Sequence, residues 1–474
     1  MKHLVTFLLL LLSVAFLKAQ TTPFSVAPDL FDQSEEDSLG LAAAPGTETI
    51  TIFAPSDSTD KYSNGVVMTA FNGYLYCQWQ SSAVDEDASD TWVAYSRSED
   101  GITWSAPMVL AQTLDSGYCS SGGWWVNGDT LVAYLNTWPA SVSPRGGYTR
   151  YTVSTDGLTW SAPQPVLMAD GDTLMGIFEQ DPHALPDGRI INAAHLQPGL
   201  VVSPIYTDDP SGVSGWIKAD MTNNSVSSNV SRELEPSWYL RSDSVIVMTF
   251  RDQNSSYKRL ASISADRGET WTRPTLTNMP DSRSKQSAGN LPDGAAFLVG
   301  NPKTFKTRIP LAVTLSPDGQ YFNTAYLLRK GGEGIQPLRY EGLYKRLGYH
   351  YPKSLVYDGH LYVSYSTNKE DVEMTRVPIE NLEIDTTTSG IFAPLADPGI
   401  HILPQENGSV QVRLEHPPYV GLVRILTTSG QTIQQEEFHS GEFTLDMNAH
   451  STGIYLIQVI TLEGSKTIKY QGRN

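Results

Sequence analysis

The chain has 474 residues, with 33 Lys and Arg against 51 Asp and Glu, a net charge of −18, and 38 Gly plus 29 Pro. That length can bury a sizeable core, and so many turn formers exclude a helical bundle. The acidic balance disfavours nucleic acid as a partner, because a negative protein repels the phosphate backbone unless one face is locally basic.

In chain order, Lys2 and His3 precede an apolar run from Leu4 to Leu17, and residues 1–19 read as a secretory signal peptide. The run is too short for the ~20 residues that span a bilayer, and no other stretch comes close, so export without a membrane span is expected. Residues 20–45 lack periodicity and carry acidic and small residues, which predicts a flexible leader. Cys77 and Cys119 are the only cysteines. An exported address permits a disulfide between them, and two buried thiols that never meet fit equally well.

Beyond the leader the chain repeats. Ser98-Glu-Asp100-Gly101-Ile-Thr103-Trp104, Ser154-Thr-Asp156-Gly157-Leu-Thr159-Trp160 and Ser264-Ala-Asp266-Arg-Gly268-Glu-Thr270-Trp271 match an Asp-box pattern, and Ser316-Pro-Asp318-Gly319 is a degenerate fourth. With Trp216 after another Asp- and Gly-rich turn, positions 104, 160, 216, 271 and 322 are spaced by 56, 56, 55 and 51 residues. A second register of turns runs through Asn72-Gly73, Asn127-Gly128, Pro186-Asp187-Gly188, Asp243, Pro292-Asp293-Gly294 and Asp358-Gly359, each flanked by alternating or apolar runs. Fixed-period repetition of short strands is the signature of a propeller. The predicted fold is all-β: a six- or seven-bladed β-propeller over 46–388, with Glu48–Phe53 free to close the ring or to seed a further blade. The boxes are structural and peripheral, their Asp and Ser side chains bonding the backbone of a tight turn while Gly supplies positive φ. Residues 389–399 are a linker and 400–474 a small β-sandwich. The latter resembles the type IX secretion sorting domain of Bacteroidetes through Gly453-Ile-Tyr455 and Lys466-Thr-Ile-Lys469. That resemblance implies a secreted or surface-attached protein handled by the type IX machinery; a carbohydrate-binding appendage is the alternative.

Aligned on the hairpin turns, His183 and Tyr239 lie four residues before Asp187 and Asp243, and His195 and Arg251 eight residues after them. This quartet is the candidate catalytic set. From Arg283 to Lys353 eleven Lys and Arg face four acids, a local balance of +7 that leaves −25 elsewhere. A basic sector in an acidic protein suggests an anionic ligand, with Lys285, Asn301, Lys303, Arg308, Tyr349 and His350 as candidate binders.

The Asp boxes make 46–388 resemble the sialidase superfamily. Exo-sialidases place an Arg-Ile-Pro motif in the first blade and use an arginine triad with a Tyr–Glu nucleophile pair. Here the only such tripeptide is Arg308-Ile309-Pro310, in the fifth repeat, which counts against sialic acid cleavage. The His, His, Tyr, Arg order is similar to that of the propeller ulvan lyases, polysaccharide lyase family 25 and less closely family 24, described as seven-bladed. That resemblance implies β-elimination on a sulfated, uronate-containing polysaccharide, with His183 and Tyr239 as the acid/base pair, Arg251 neutralising the carboxylate and His195 in support. No cofactor is required, a structural metal ion is compatible, and a monomer is expected. Two other classes stay open. A glycoside hydrolase would need two carboxylates across the site, for which Glu179, Asp181 and Glu235 are available; a non-catalytic glycan-binding propeller would need only aromatic and basic residues.

Overall fold

The computed structural model describes residues 22–180, 182–386, 400–405, 408–415, 421–427, 432–447, 450, 453–461 and 465–471. Two units are resolved in it, divided near residue 389. The expected signal peptide and the linker 389–399 lie outside the described residues.

The larger unit contains six antiparallel sheets that follow the six turns of the sequence, five of them four-stranded and one five-stranded because its first strand is split in two. The first two strands of each sheet flank one of these turns. They are Tyr62–Phe71 and Tyr74–Ser82 in sheet 1, Gly117–Asn127 and Thr130–Pro139 in sheet 2, and Gly176–Phe178 with His183–Ala184, then Ile190–Leu196, in sheet 3. Sheet 4 has Glu233–Leu240 and Ile246–Asp252, sheet 5 Ser287–Asn290 and Ala296–Gly300, and sheet 6 Tyr349–Tyr357 and His360–Thr367. The tight turns form as their chemistry requires: at Asn72-Gly73 and Asp358-Gly359 both residues take positive φ, the geometry that matches the twist of the flanking strands.

Glu48–Phe53 pairs with Asp371–Pro378 and so supplies the outermost strand of sheet 6, closing the ring. Each sheet packs on the next, and the sixth on the first. Period-2 alternation makes both faces of these strands apolar in the middle, so one hydrophobic cluster lies at every junction. Val67, Tyr95 and Trp124 join sheets 1 and 2; Tyr134, Phe178 and Ile205 join 2 and 3; Ile191, Trp238 and Met248 join 3 and 4. Tyr239, Val247 and Leu298 join 4 and 5; Phe297, Val299 and Tyr349 join 5 and 6; Trp79, Val66 and Met374 join 6 and 1.

The Asp boxes hold the outer turns as the sequence implies. Asp100 Oδ1 accepts the main-chain N–H groups of Ile102 and Thr103 at 2.8 and 2.7 Å, while Gly101 N–H donates to Ser98 Oγ at 2.9 Å. These bonds bring the Asp100 carboxyl down to about 2. Trp216 closes the Asp- and Gly-rich turn between the second and third boxes, its indole donating to Gly212 O at 2.9 Å.

One expectation is overturned, and one pair of alternatives is decided. The leader from residue 22 onward is packed, not flexible. Ser25–Val26 pairs in parallel with Tyr321–Phe322, and Phe24, Val26, Phe31 and Leu39 are buried in the junction of sheets 4 and 5. Its apolar residues fill gaps at irregular spacing, which is why no periodicity shows. Cys77 and Cys119 are free, buried thiols in different junctions, Cys77 between sheets 6 and 1 and Cys119 between 1 and 2.

The smaller unit has a three-stranded sheet (Ile400–Pro404, Ser409–Leu414, Glu442–Asp446) and a four-stranded one (Thr432–Phe438, Gly421–Thr427, Ile454–Thr461, Ser465–Gln471). Ile402, Val412, Ile425, Ile457 and Val459 from the two sheets share one core, as in a β-sandwich. Among the described residues no helix is long and apolar enough to cross a membrane.

Candidate functional site

First strands begin, and second strands end, at the end of each sheet opposite its hairpin turn. This end is the mouth. Four of the six first strands carry a register break there, between Asn64 and Val67, Ser121 and Gly123, Leu234 and Ser237, and His350 and Lys353. Bulges of this kind redirect side chains and often border active sites. In sheets 1 and 2 a glycine within the break takes positive φ, Gly65 and Gly123. In sheets 4 and 6 the residues that do so are Glu235, at φ 52°, and Tyr351, at φ 53°. A side chain in that region costs on the order of 1–3 kcal/mol and persists only where its surroundings impose it.

Those surroundings are charged. Arg251 Nη1 binds Glu235 Oε2 at 2.9 Å, with both side chains largely buried. Burial raises the Glu235 pKa, but Arg251, Lys285 and Arg308 outweigh it and bring the carboxyl to about 2. Tyr351 is shifted the other way: burial, and then the Glu235 charge, hold its hydroxyl protonated well above the usual range. The Arg308 guanidinium lies 4.9 Å from the Tyr351 ring centroid, and the Lys369 and Lys285 ammonium groups lie 5.6 and 5.9 Å from it. Lys369 pairs with Glu86, and its own pKa is pushed down to about 8, chiefly by burial. Asn64 donates to the other Glu86 oxygen at 3.3 Å.

Arg308 is fixed from behind. His350 Nδ1 accepts from Arg308 Nη1 at 2.7 Å, and its Nε2 donates to Arg346 O at 2.9 Å. Burial, with Arg308 alongside, keeps the imidazole neutral and therefore able to accept. Arg346 brings a further guanidinium whose charge acts on Arg308, Tyr351, Glu86 and Arg251. An ionised carboxylate, a protonated phenol and converging guanidiniums suit a ligand that carries a carboxylate and undergoes proton transfer.

The structure gathers only part of the predicted quartet at this mouth. Arg251 and His195 are there. His183 pairs with Ile191 and Tyr239 with Val247, each four residues short of its intended partner, about 13 Å along the strand. His183 sits edge-on against Trp238, with ring centroids 5.5 Å apart. Tyr239 is 0% exposed, donates to Gly319 O at 2.8 Å and packs between Phe24 and Phe322, so no substrate reaches its hydroxyl. Residues four before and eight after a hairpin turn belong at opposite ends of the hairpin, which accounts for the misplacement.

The predicted binders also divide. Arg308 and His350 belong to the site. Lys285 turns to Glu179 Oε2 at 2.7 Å and Gln180 Oε1 at 2.8 Å. Asn301 is buried, donating to Pro310 O at 3.0 Å and accepting from Ser284 at 2.9 Å. Lys303 reaches back to Glu36 O, at 3.3 Å, in the docked leader. Tyr349 is a core residue whose hydroxyl donates to Lys330 O at 2.6 Å. Asp181 lies outside the described residues. Tyr351, Glu86, Arg346 and Lys369 escaped the sequence reading. An offset finds their neighbours but none of the four: Asn64, Glu179, Glu235, Lys285 and His350 fall eight residues before Asn72, Asp187, Asp243, Asp293 and Asp358, and Tyr351 lies one place beyond His350. Among the described residues no group of three His, Cys, Asp or Glu is arranged to hold a metal ion.

Several solved structures share the fold. A protein of unknown function from Dyadobacter fermentans aligns at a TM-score of 0.54 and 16% identity, over 70% of this chain and 99% of that one. The intramolecular trans-sialidase from Ruminococcus gnavus, in complex with oseltamivir carboxylate, aligns at 0.53 and 14%, over 73% of this chain and 100% of that one. Trypanosoma rangeli sialidase, in complex with sialic acid, aligns at 0.54 and 13%, over 91% and 89%. No curated protein matches the sequence. Residues 406–470 match the secretion system C-terminal sorting domain, which makes the protein secreted or attached at the cell surface. Residues 73–363 match the BNR repeat-like domain, more than half of the sequence, and the chain belongs to that family of sialidase-like propellers.

Proposed function

We propose that the protein is a sialidase-like glycosidase that cleaves a terminal, carboxylate-bearing sugar with Tyr351 as nucleophile and Glu235 as its base. The observation that carries this reading is the meeting of an ionised Glu235 and a protonated Tyr351 beneath Arg251 and Arg308. A neutral phenol can approach an anionic sugar without the repulsion that a carboxylate nucleophile would meet. As the Tyr351 oxygen bonds to the anomeric carbon, its proton passes to Glu235 and the glycosidic oxygen leaves as an alcohol. That oxygen takes its proton from the Lys369 ammonium, which pairs with Glu86, lies 5.6 Å from the Tyr351 ring centroid and has its pKa pushed down to about 8. Water then releases the sugar from the tyrosine. The guanidiniums of Arg251, Arg308 and Arg346 bind the substrate carboxylate and hold the reacting carbon in register.

This reading is preferred to uronate β-elimination because the lyase scheme relies on the buried Tyr239. Asn64 and Gly65 stand in the bulge of the first sheet and that sheet's arginine, Arg97, lies on its third strand, a departure from the first-blade Arg-Ile-Pro of exo-sialidases, so the proposed acidic sugar is a relative of sialic acid rather than sialic acid itself.

The test is incubation with fluorogenic sialosides, sialylated oligosaccharides and uronate polysaccharides including ulvan. Release of a free acidic sugar, abolished by Tyr351→Phe, supports the proposal. Ultraviolet absorbance from unsaturated uronyl ends would replace it with the lyase reading, and binding without any product would remove the enzyme altogether.

A further inference from the structure

Glu235 is a side-chain-bearing residue in a left-handed bulge, and Pro236 follows it. A residue before proline is pushed toward extended backbone, so nothing local favours this conformation. Its two main-chain polar groups are instead held by side chains from the neighbouring sheets. The Glu235 N–H donates to His195 Nε2 at 3.3 Å, from sheet 3. The Glu235 carbonyl accepts from Gln286 Nε2 at 3.2 Å, beside sheet 5.

His195 is itself set by a buried chain of charge. Because Nε2 accepts, the ring proton is on Nδ1, which faces Glu179 Oε1 at 3.3 Å. The other Glu179 oxygen is bound by Lys285 at 2.7 Å. Protonation of His195 would turn Nε2 into a donor aimed at the Glu235 N–H. Burial opposes that charge, against the pull of Glu179 and Glu235 and with the help of Lys285 and Arg251.

We propose that His195 is a positioning residue that acts through the main chain of Glu235: it holds the bulge that presents the Glu235 carboxylate to Arg251 and Tyr351, with the Glu179 charge beside Nδ1, itself held by Lys285, favouring the tautomer whose Nε2 accepts. It touches no substrate. The proposal rests on Glu235 serving as the base, and it assigns to Lys285 a supporting role in place of ligand binding.

Two substitutions separate the functions of the ring nitrogens. His195→Gln retains an acceptor near the Nε2 position, whereas His195→Asn retains a polar group near Nδ1 and loses the acceptor. With a cleaved substrate, His195→Asn should lower kcat about 100-fold with KM within about threefold, and His195→Gln should recover to within about tenfold of the native enzyme. Hydrogen exchange at the Glu235 amide, followed in both folded variants, should accelerate in His195→Asn and stay slow in His195→Gln. Equal loss in both variants, or unchanged kcat and exchange in His195→Asn, would overturn the proposal. If the native protein cleaves none of the acidic glycans, the glycosidase reading fails, and the exchange measurement still decides whether His195 holds the bulge.

Discussion

Glu235 and Tyr351 occupy equivalent places in two different sheets: each stands in the bulge at the mouth end of a first strand, at φ 52° and 53°, where sheets 1 and 2 have glycine. Two strained positions thereby carry an anion and a phenol of opposite pKa shift. Backbone strain at this pair is the structural signature of the site.

Removing either chemical group should stop turnover without unfolding the protein. Tyr351→Phe sheds one hydroxyl and Glu235→Gln one charge, and each should lower kcat by about 10²–10⁴. Steady-state kinetics on the cleaved glycan, with thermal unfolding as the control, checks this.

Acid should reveal the Glu235 pair in the stability of the fold. The carboxyl is held at about 2 against an ordinary 4.5, so its contribution is complete above the ordinary value and is lost as the pH falls toward the folded one. At about 1.4 kcal/mol per pKa unit the effect is on the order of 3 kcal/mol. Denaturant unfolding of the native protein and Glu235→Gln should show a gap near neutral pH that closes on acidification.

Tyr239→Phe should leave activity intact. The change removes only the hydrogen bond to Gly319 O, worth about 1 kcal/mol. Loss of turnover with an unchanged melting temperature would restore Tyr239 to the catalytic scheme.

The docked leader should matter to stability. Phe24 is 1% exposed and packs edge-on against Tyr239 and Phe322, with ring centroids 6.3 and 5.3 Å away. Phe24→Ala should cost about 3–5 kcal/mol, read from denaturant unfolding.

Much of the fold is legible in the sequence because turns and boxes are local chemistry. Asn72-Gly73 and Ser98-Glu-Asp100-Gly101 specify their own geometry whatever lies elsewhere in the chain. The leader is not legible in this way, since Phe24 and Leu39 are anchored by partners far along the sequence. The mouth was half legible. Counting eight residues after each turn finds His195 and Arg251, whereas four before it leads to His183 and Tyr239, toward the other end of the hairpin. Tyr351 was hidden by its bulge, which shifts it one place from the offset that Glu235 obeys.

The outermost strand of sheet 6 is Glu48–Phe53, so the sheet that carries Tyr351 is finished only when the first repeat and the last have met. A chain cut short before Asp371–Pro378 leaves that strand without its partner and the ring open. The proposed activity is therefore a property of the complete ring: clipped or partly synthesised molecules should be inactive as a class, and activity becomes a direct count of closed ones.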